Sequence, residues 1–468
     1  MLRPRHHFTP PRGFLNDPNG LVHYAGEFHV FYQHNPLGDT WGHMSWGHAV
    51  SRDLLRWEHL PVALAERDGA MIFSGSAVVD WQNTSGLCAG GEPPLVALYT
   101  EHGPAEQTQN LAYSNDRGRT FVRHRDSPIV AIGSRDFRDP KVFWHEPTRS
   151  WVMVTVLAAI RTVRFDVSHD LLRWEHASDF GPGDPEDGPW ECPDLFLLPV
   201  EAEPGQRRWV LKVDVQRAES ARYFVGDFDG RVFVPDPEIG HDLRVDGGRD
   251  FYAAQSFSDF PDERRVWIGW MSHWDYANVV PTSPWRGQLS IPRELRLVRV
   301  AGGLRLAQRP VGELALARTP LLRCAATDLT AANRDLAATG GGVAVEIDVE
   351  LVPCHAATCA IAVRSAAHER TLVGFDAARS ELFVDRTRSG ATAFSPAFPG
   401  VHRRPVSLVG GRLALRIFVD TCSVEVFAED GRTVLSDLVF PEAASTGIEL
   451  LCDGDAHVRS LEVFQLEP

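Results

Sequence analysis

Three short motifs place a carboxylate among neighbours that would shape its chemistry. Asn16-Asp17-Pro18-Asn19-Gly20 sets an aspartate among amide donors and turn formers. Arg138-Asp139-Pro140 sets one beside a guanidinium, and Trp190-Glu191-Cys192-Pro193-Asp194 sets a glutamate between an indole and a thiol, just before the apolar run Leu195 to Leu198. Amide donors favour the ionised form of a carboxylic acid, whereas poor hydration favours the neutral form. One ionised and one protonated carboxyl is what glycoside hydrolysis requires, the first to attack or activate water and the second to protonate the leaving group. Taken singly, the first two motifs also read as a β-turn and as a surface ion pair with a turn. Trp41, Trp46, Phe73, Trp270, Trp274 and Trp285 would offer flat apolar faces to sugar rings, although most of the 13 tryptophans read as packing residues.

Residues so far apart in sequence need a scaffold that brings them together. Ser51-Arg52-Asp53-Leu54-Leu55-Arg56-Trp57-Glu58-His59 recurs almost verbatim as Ser168-His169-Asp170-Leu171-Leu172-Arg173-Trp174-Glu175-His176, with a weaker copy from Ser114 to Phe121. The copies begin 63 and 54 residues apart (114 − 51 and 168 − 114). A period of about 60 over roughly 310 residues is the signature of five four-stranded blades, so a five-bladed β-propeller is expected. No helical pattern alternates with the short strands, which disfavours an α/β barrel. The three motifs lie 122 and 52 residues apart and so fall on different blades. All tryptophans lie between Trp41 and Trp285; beyond them, Val343, Val345, Ile347, Val349 and Leu351 alternate on one face, and Leu413 to Phe427 reads as two strands around Asp420-Thr421-Cys422. The expected architecture is all-β, a propeller over 1–312, a linker over 313–325 and a β-sandwich over 326–468.

The 468 residues carry 47 basic and 62 acidic side chains, a net charge of −15 that argues against a nucleic-acid partner. Only Lys141 and Lys212 are lysines. No run of 18 apolar residues occurs, so no membrane partner is expected, and the first twenty residues lack the apolar stretch of a secretory leader, which makes a cytoplasmic protein the expectation. Seven cysteines with no C-x-x-C pair point to buried thiols rather than a disulfide framework or a zinc knuckle. No His-Glu-x-x-His spacing occurs among the histidines, and His43 and His48 read as structural hydrogen-bonding residues; no metal or cofactor is expected.

The order of the motifs carries a resemblance. The Asn-Asp-Pro-Asn-Gly motif, Phe31-Tyr32-Gln33-His34-Asn35-Pro36, Trp41-Gly42-His43, Phe73-Ser74-Gly75-Ser76, Arg-Asp-Pro, Glu-Cys-Pro-Asp and Asp250-Phe251-Tyr252-Ala253-Ala254-Gln255 follow one another as in glycoside hydrolase family 32, and Ser423-Val424-Glu425-Val426-Phe427 resembles its C-terminal sandwich. That resemblance implies Asp17 as nucleophile, Glu191 as acid/base and Asp139 as transition-state stabiliser. It also implies a fructose pocket formed by Asn16, Gln33, Trp41, Phe73, Ser74, Arg138, Cys192, Tyr252 and Trp274. The stretch from His273 to Gln288, with Asn278 and Arg286 as candidate hydroxyl contacts, is more similar to levanases and exo-inulinases than to sucrose-6-phosphate hydrolases. The expected activity is therefore exo-hydrolysis of fructans and fructo-oligosaccharides. An invertase or sucrose-6-phosphate hydrolase is the alternative, and a catalytically silent carbohydrate-binding protein the remote one.

Overall fold

The computed structural model describes residues 2–216, 221–239, 243–353 and 357–467. Five antiparallel sheets in the first part are the five blades. Their innermost strands are Gly13–Tyr24, Met71–Val79, Phe137–His145, Trp190–Pro199 and Tyr252–Ser256. Each packs on the next, and the fifth packs back on the first, closing the ring. The short strand Trp285–Arg286 pairs in parallel with the start of Gly13–Tyr24, so the connection between the second and third strands of blade V is stitched to blade I.

The repeat turns out to be the corner between the third and fourth strands of a blade. Asp53 accepts from the backbone N–H groups of Leu55 and Arg56, and Asp170 from those of Leu172 and Arg173, each bond 2.8 or 2.9 Å. Leu54 and Leu171 sit there with φ near 64° and 62°, a strained region that the bonded aspartate holds in place. Blade IV has the same device in another spelling: Asp229 accepts from Arg231 and Val232 N–H at 2.8 Å.

The sandwich packs a six-stranded on a five-stranded sheet, with Val345, Ile347, Val349 and Leu351 in its core as their alternation predicts. The expected linker over 313–325 is shorter than read. A 3₁₀ turn, Gly312–Ala317, leads straight into the strand Arg318–Asp328, which pairs with Ala456–Leu466 from the register Arg318↔Leu466 onward. This is an edge strand, largely exposed and carrying Pro320, so it lacks the alternation by which a strand is recognised. Among the described residues one α-helix, Leu329–Ala338, buries Ala332 and Leu336 against the core, and no helix is long and apolar enough to cross a membrane. Cys192, Cys359 and Cys422 are buried as expected, but Cys88, Cys324 and Cys452 are only half-buried; Cys354 lies outside the described residues.

Buried charges join the two domains. Arg293 of blade V reaches Glu425 (Nε to Oε2 3.1 Å), Asp246 (3.0 Å) and Ser436 (2.6 Å), lying between the rings of Phe251 and Phe427. From the N-terminal segment His7 bridges Asp420 (2.8 Å) and Glu425 (2.7 Å). Burial alone would lower the pKa of His7, but hydrogen bonds from its ring to these two carboxylates outweigh it and raise it to about 9. The stabilising effect of His7 is therefore complete below its ordinary value near 6.5 and is lost as pH rises through about 9. His7→Ala, which strands two buried carboxylates, is expected to cost about 3–5 kcal/mol. Calorimetry should show a lowered thermal midpoint at pH 6 and a gap to the parent that narrows toward pH 10.

Candidate active site

A β-bulge interrupts all five inner strands at one level. The register slips between Leu15 and Pro18, between Ile72 and Gly75, opposite Arg138–Lys141, between Glu191 and Asp194, and between Tyr252 and Gln255. Proline cannot donate to a ladder, so Pro18, Pro140 and Pro193 suit such breaks, and a bulge re-aims the side chains beside it. Asp139, Cys192 and Ala253 adopt φ of 62°, 46° and 53° at these points. The result is that Asp17, Asp139 and Glu191, on three blades, open into one hollow of about 410 Å³ at one mouth of the channel. That is within the roughly 300–1,000 Å³ usual for small-molecule sites.

The hollow is also lined by Asn16, Gln33, Trp41, Phe73, Ser74, Arg138 and Trp274, all anticipated. Asp17 accepts from Ser74 Oγ (2.6 Å) and Asn16 Nδ2 (2.9 Å), with the Cys192 thiol at 3.5 Å. Asp139 accepts from the Cys192 backbone N–H (2.9 Å). Arg138 Nη2 donates to Glu191 Oε1 at 3.0 Å, and the Tyr252 hydroxyl donates to Glu191 Oε2. With the Asn19 amide oriented to suit its neighbours, its oxygen accepts from Gln33 Nε2 at 3.0 Å.

Electrostatics depart from the sequence expectation. Burial pushes the Asp17 carboxyl up to about 6, with the charge of Glu191 adding, against the lowering effect of Ser74, Asn16 and Cys192. Burial likewise raises Asp139 to about 7, although Arg138 opposes it, because Glu191 and Asp17 add to it. Asp17 is thus not the low-pKa member that its amide neighbours suggested: two good donors do not replace a lost hydration shell. Nor is Glu191 set in an apolar niche, since a guanidinium and a phenol hold its two oxygens.

Other expectations are corrected by position. Cys192 and Tyr252 do not line the hollow; they stand behind the carboxylates as supports, because the bulges turn their backbone or hydroxyl donors inward. Trp46, Trp270 and Trp285 are buried in the core, which leaves Trp41, Phe73 and Trp274 as the aromatic rim. Arg286 does not reach the hollow. It binds Asp39 O (3.0 Å) and Val280 O (3.1 Å), while Asn278, which does line it, accepts from Trp41 N–H at 2.7 Å, so both steady the loop that carries Trp41.

His102, Gln107 and Gln216 line the site without having been anticipated. Phe73 and His102 stack at 4.5 Å, and Gln107 receives Arg138 Nη1 at 3.4 Å. Their common property is topological: each lies next to the connection between the second and third strands of its blade, as do Trp41, Trp274 and Asn278. In a propeller these connections surround the same mouth as the bulges, and that rule was available from the repeat alone.

Buried carboxyls from three blades, facing one hollow rimmed by aromatic rings, define a propeller built for breaking glycosidic bonds. Residues 7–310 match the family model for the glycosyl hydrolases family 32 N-terminal domain, and residues 319–465 that for the family 32 C terminal. The chain belongs to glycoside hydrolase family 32. It is 48% identical to a levanase of Bacillus subtilis (strain 168), the match covering 99% of this chain and 70% of the relative. It is 41% identical to a levanase of Bacillus sp. (strain L7), of which it spans 52%. With the extracellular exo-inulinase inuE of Aspergillus niger the identity is 36% over 97% of this chain and 92% of the relative. Among solved structures, the exo-inulinase of Aspergillus awamori superposes with a TM-score of 0.92 at 34% identity, covering 99% of this chain and 98% of that one.

Proposed function

We propose that this protein is an exo-acting β-fructosidase, hydrolysing terminal non-reducing β-D-fructofuranosyl residues of levan- and inulin-type fructans and fructo-oligosaccharides with retention of configuration. The observation that carries exo-action is the closed floor of the hollow. Beneath the carboxylates the channel is filled by Lys141, bonded to Ser256 O (2.5 Å), and by Lys212, bonded to Cys192 O (3.1 Å) and Ala254 O (2.9 Å). A blind pocket admits a chain end and not a chain passing through. The levanases and exo-inulinases among its relatives support the substrate class.

In this reading Asp17 attacks the anomeric carbon and Glu191 protonates the departing oxygen, then takes a proton from the water that releases fructose. Asp139, with Arg138, Asn16 and Gln33, holds the ring hydroxyls as the ring flattens. Trp41 and Trp274 border the part of the substrate beyond the cleaved bond. Early-time chromatography on levan and inulin is expected to show fructose as nearly the only product; a ladder of oligosaccharides would mean endo-action. Turnover confined to sucrose 6-phosphate would establish the alternative. Against it, Arg138 is the one lining cation among the described residues and already faces Glu191 and Asp136.

Asp139→Asn is expected to lower kcat far more than it changes KM, because its contacts tighten in the transition state. The same change should stabilise the fold at alkaline pH. With the folded pKa raised to about 7, the native state gives up its proton reluctantly, so stability falls as pH rises from about 4 through 7 and the full cost is present above that. The asparagine variant escapes this cost, and its thermal midpoint at pH 8 should exceed the parent's.

A further inference from the structure

The five-stranded sheet of the sandwich holds two thiols face to face. Cys359, in the strand Thr358–Ser365, and Cys452, the last residue of the edge strand Gly447–Cys452, are register partners in an antiparallel pair. Next to them the Asp453 N–H donates to Thr358 O at 3.2 Å, which marks Thr358 and Asp453 as a hydrogen-bonded pair. Pairs alternate along an antiparallel ladder, so Cys359 and Cys452 occupy the narrow, non-hydrogen-bonded kind, with Cα atoms about 4.5 Å apart and side chains on one face. Disulfides span Cα separations of about 4.4–6.8 Å, so the backbone need not move to join them. Their sulfurs lie 2.8 Å apart, in contact already.

We infer that Cys359 and Cys452 form a cross-strand disulfide when the protein meets a low-molecular-weight disulfide such as oxidised glutathione. Cys359 is buried, while Cys452 is half-buried and reachable. The hydrogen bond between the two thiols also lowers the pKa of Cys452, favouring it as the attacking thiolate. Cys452 Sγ⁻ attacks one sulfur of the glutathione disulfide and expels a glutathione thiolate. The Cys359 thiol then loses its proton, attacks Cys452 Sγ and expels the second glutathione. Two protein thiols are oxidised to one disulfide, and one glutathione disulfide is reduced to two thiols.

The bond would pin the edge strand and close a loop of sequence separation 93. Within that loop lie Arg386, Asp420 and Glu425, the sandwich side of the contacts with the propeller. Neither cysteine lies near the hollow, so turnover should not change. Closing so long a loop restricts the unfolded chain most, and the expected gain is roughly 5 °C in thermal midpoint.

The test uses the full chain, treated with either dithiothreitol or oxidised glutathione. Denaturing thiol titration should count seven thiols in the reduced protein and five after oxidation (7 − 2). Peptide mapping should join the segments containing Cys359 and Cys452, and the midpoint should rise with activity on sucrose unchanged. Cys452→Ser should lose both the thiol change and the rise, whereas Cys354→Ser should keep both. Seven thiols persisting after oxidation, a map joining Cys452 to Cys354, or a reaction that stops at the mixed glutathione adduct would each overturn the inference.

Discussion

Asp17→Ala is expected to reduce turnover of sucrose and levan by about ten-thousand-fold or more, the scale on which loss of a covalent nucleophile is felt. The geometry leaves no substitute: Asp139 is engaged with the Cys192 N–H and Glu191 with Arg138 and Tyr252. The fold should survive, since the change removes a buried carboxylate whose ionisation is costly. In the parent, kcat/KM should fall as pH drops through about 6 to 7, because a protonated Asp17 cannot attack and its raised pKa sets where protonation begins. With Asp139 raised alongside it, this limb belongs to the carboxyl cluster as a whole. Steady-state kinetics on the purified variant decide the matter. A loss under tenfold would place the nucleophile elsewhere.

Glu191→Gln is expected to cost a hundredfold to ten-thousandfold on sucrose, the range for general acid catalysis. The glutamine still fills the space between Arg138 and Tyr252, so binding should change little. What it cannot do is deliver a proton to the glycosidic oxygen. A fructoside with an activated leaving group needs little protonation, and its first step should recover much of the loss. Comparing burst and steady-state rates on such a substrate separates the acid role from a merely structural one. Equal losses on good and poor leaving groups would remove Glu191 from the acid/base role.

Much of this arrangement was legible in the chain. The Ser-x-Asp repeat revealed the blades because one hydrogen-bonding solution, a short side chain capping a tight corner, serves wherever the same corner recurs. The corner at Asp229 escaped because only its capping aspartate is shared, and the Arg318–Asp328 strand escaped because an exposed edge carries no burial pattern. At the site, motif order located the three carboxylates and most of the aromatic rim. It did not separate Cys192 and Tyr252, which support, from Gln107 and Gln216, which face the hollow.

Local sequence determined what depends on neighbours along the chain: strand and corner positions, the prolines that sit at three of the five ladder breaks, and which residue types are present to do chemistry. Only the tertiary structure decided the protonation balance, because a pKa depends on burial and on charges brought close by folding. Asp17 looked acidic among its amides, yet the loss of water on burial raises it, with the charge of Glu191 from another blade adding. The same holds for Arg293, His7 and Glu425, far apart in sequence, which become one buried junction between propeller and sandwich once the chain has folded.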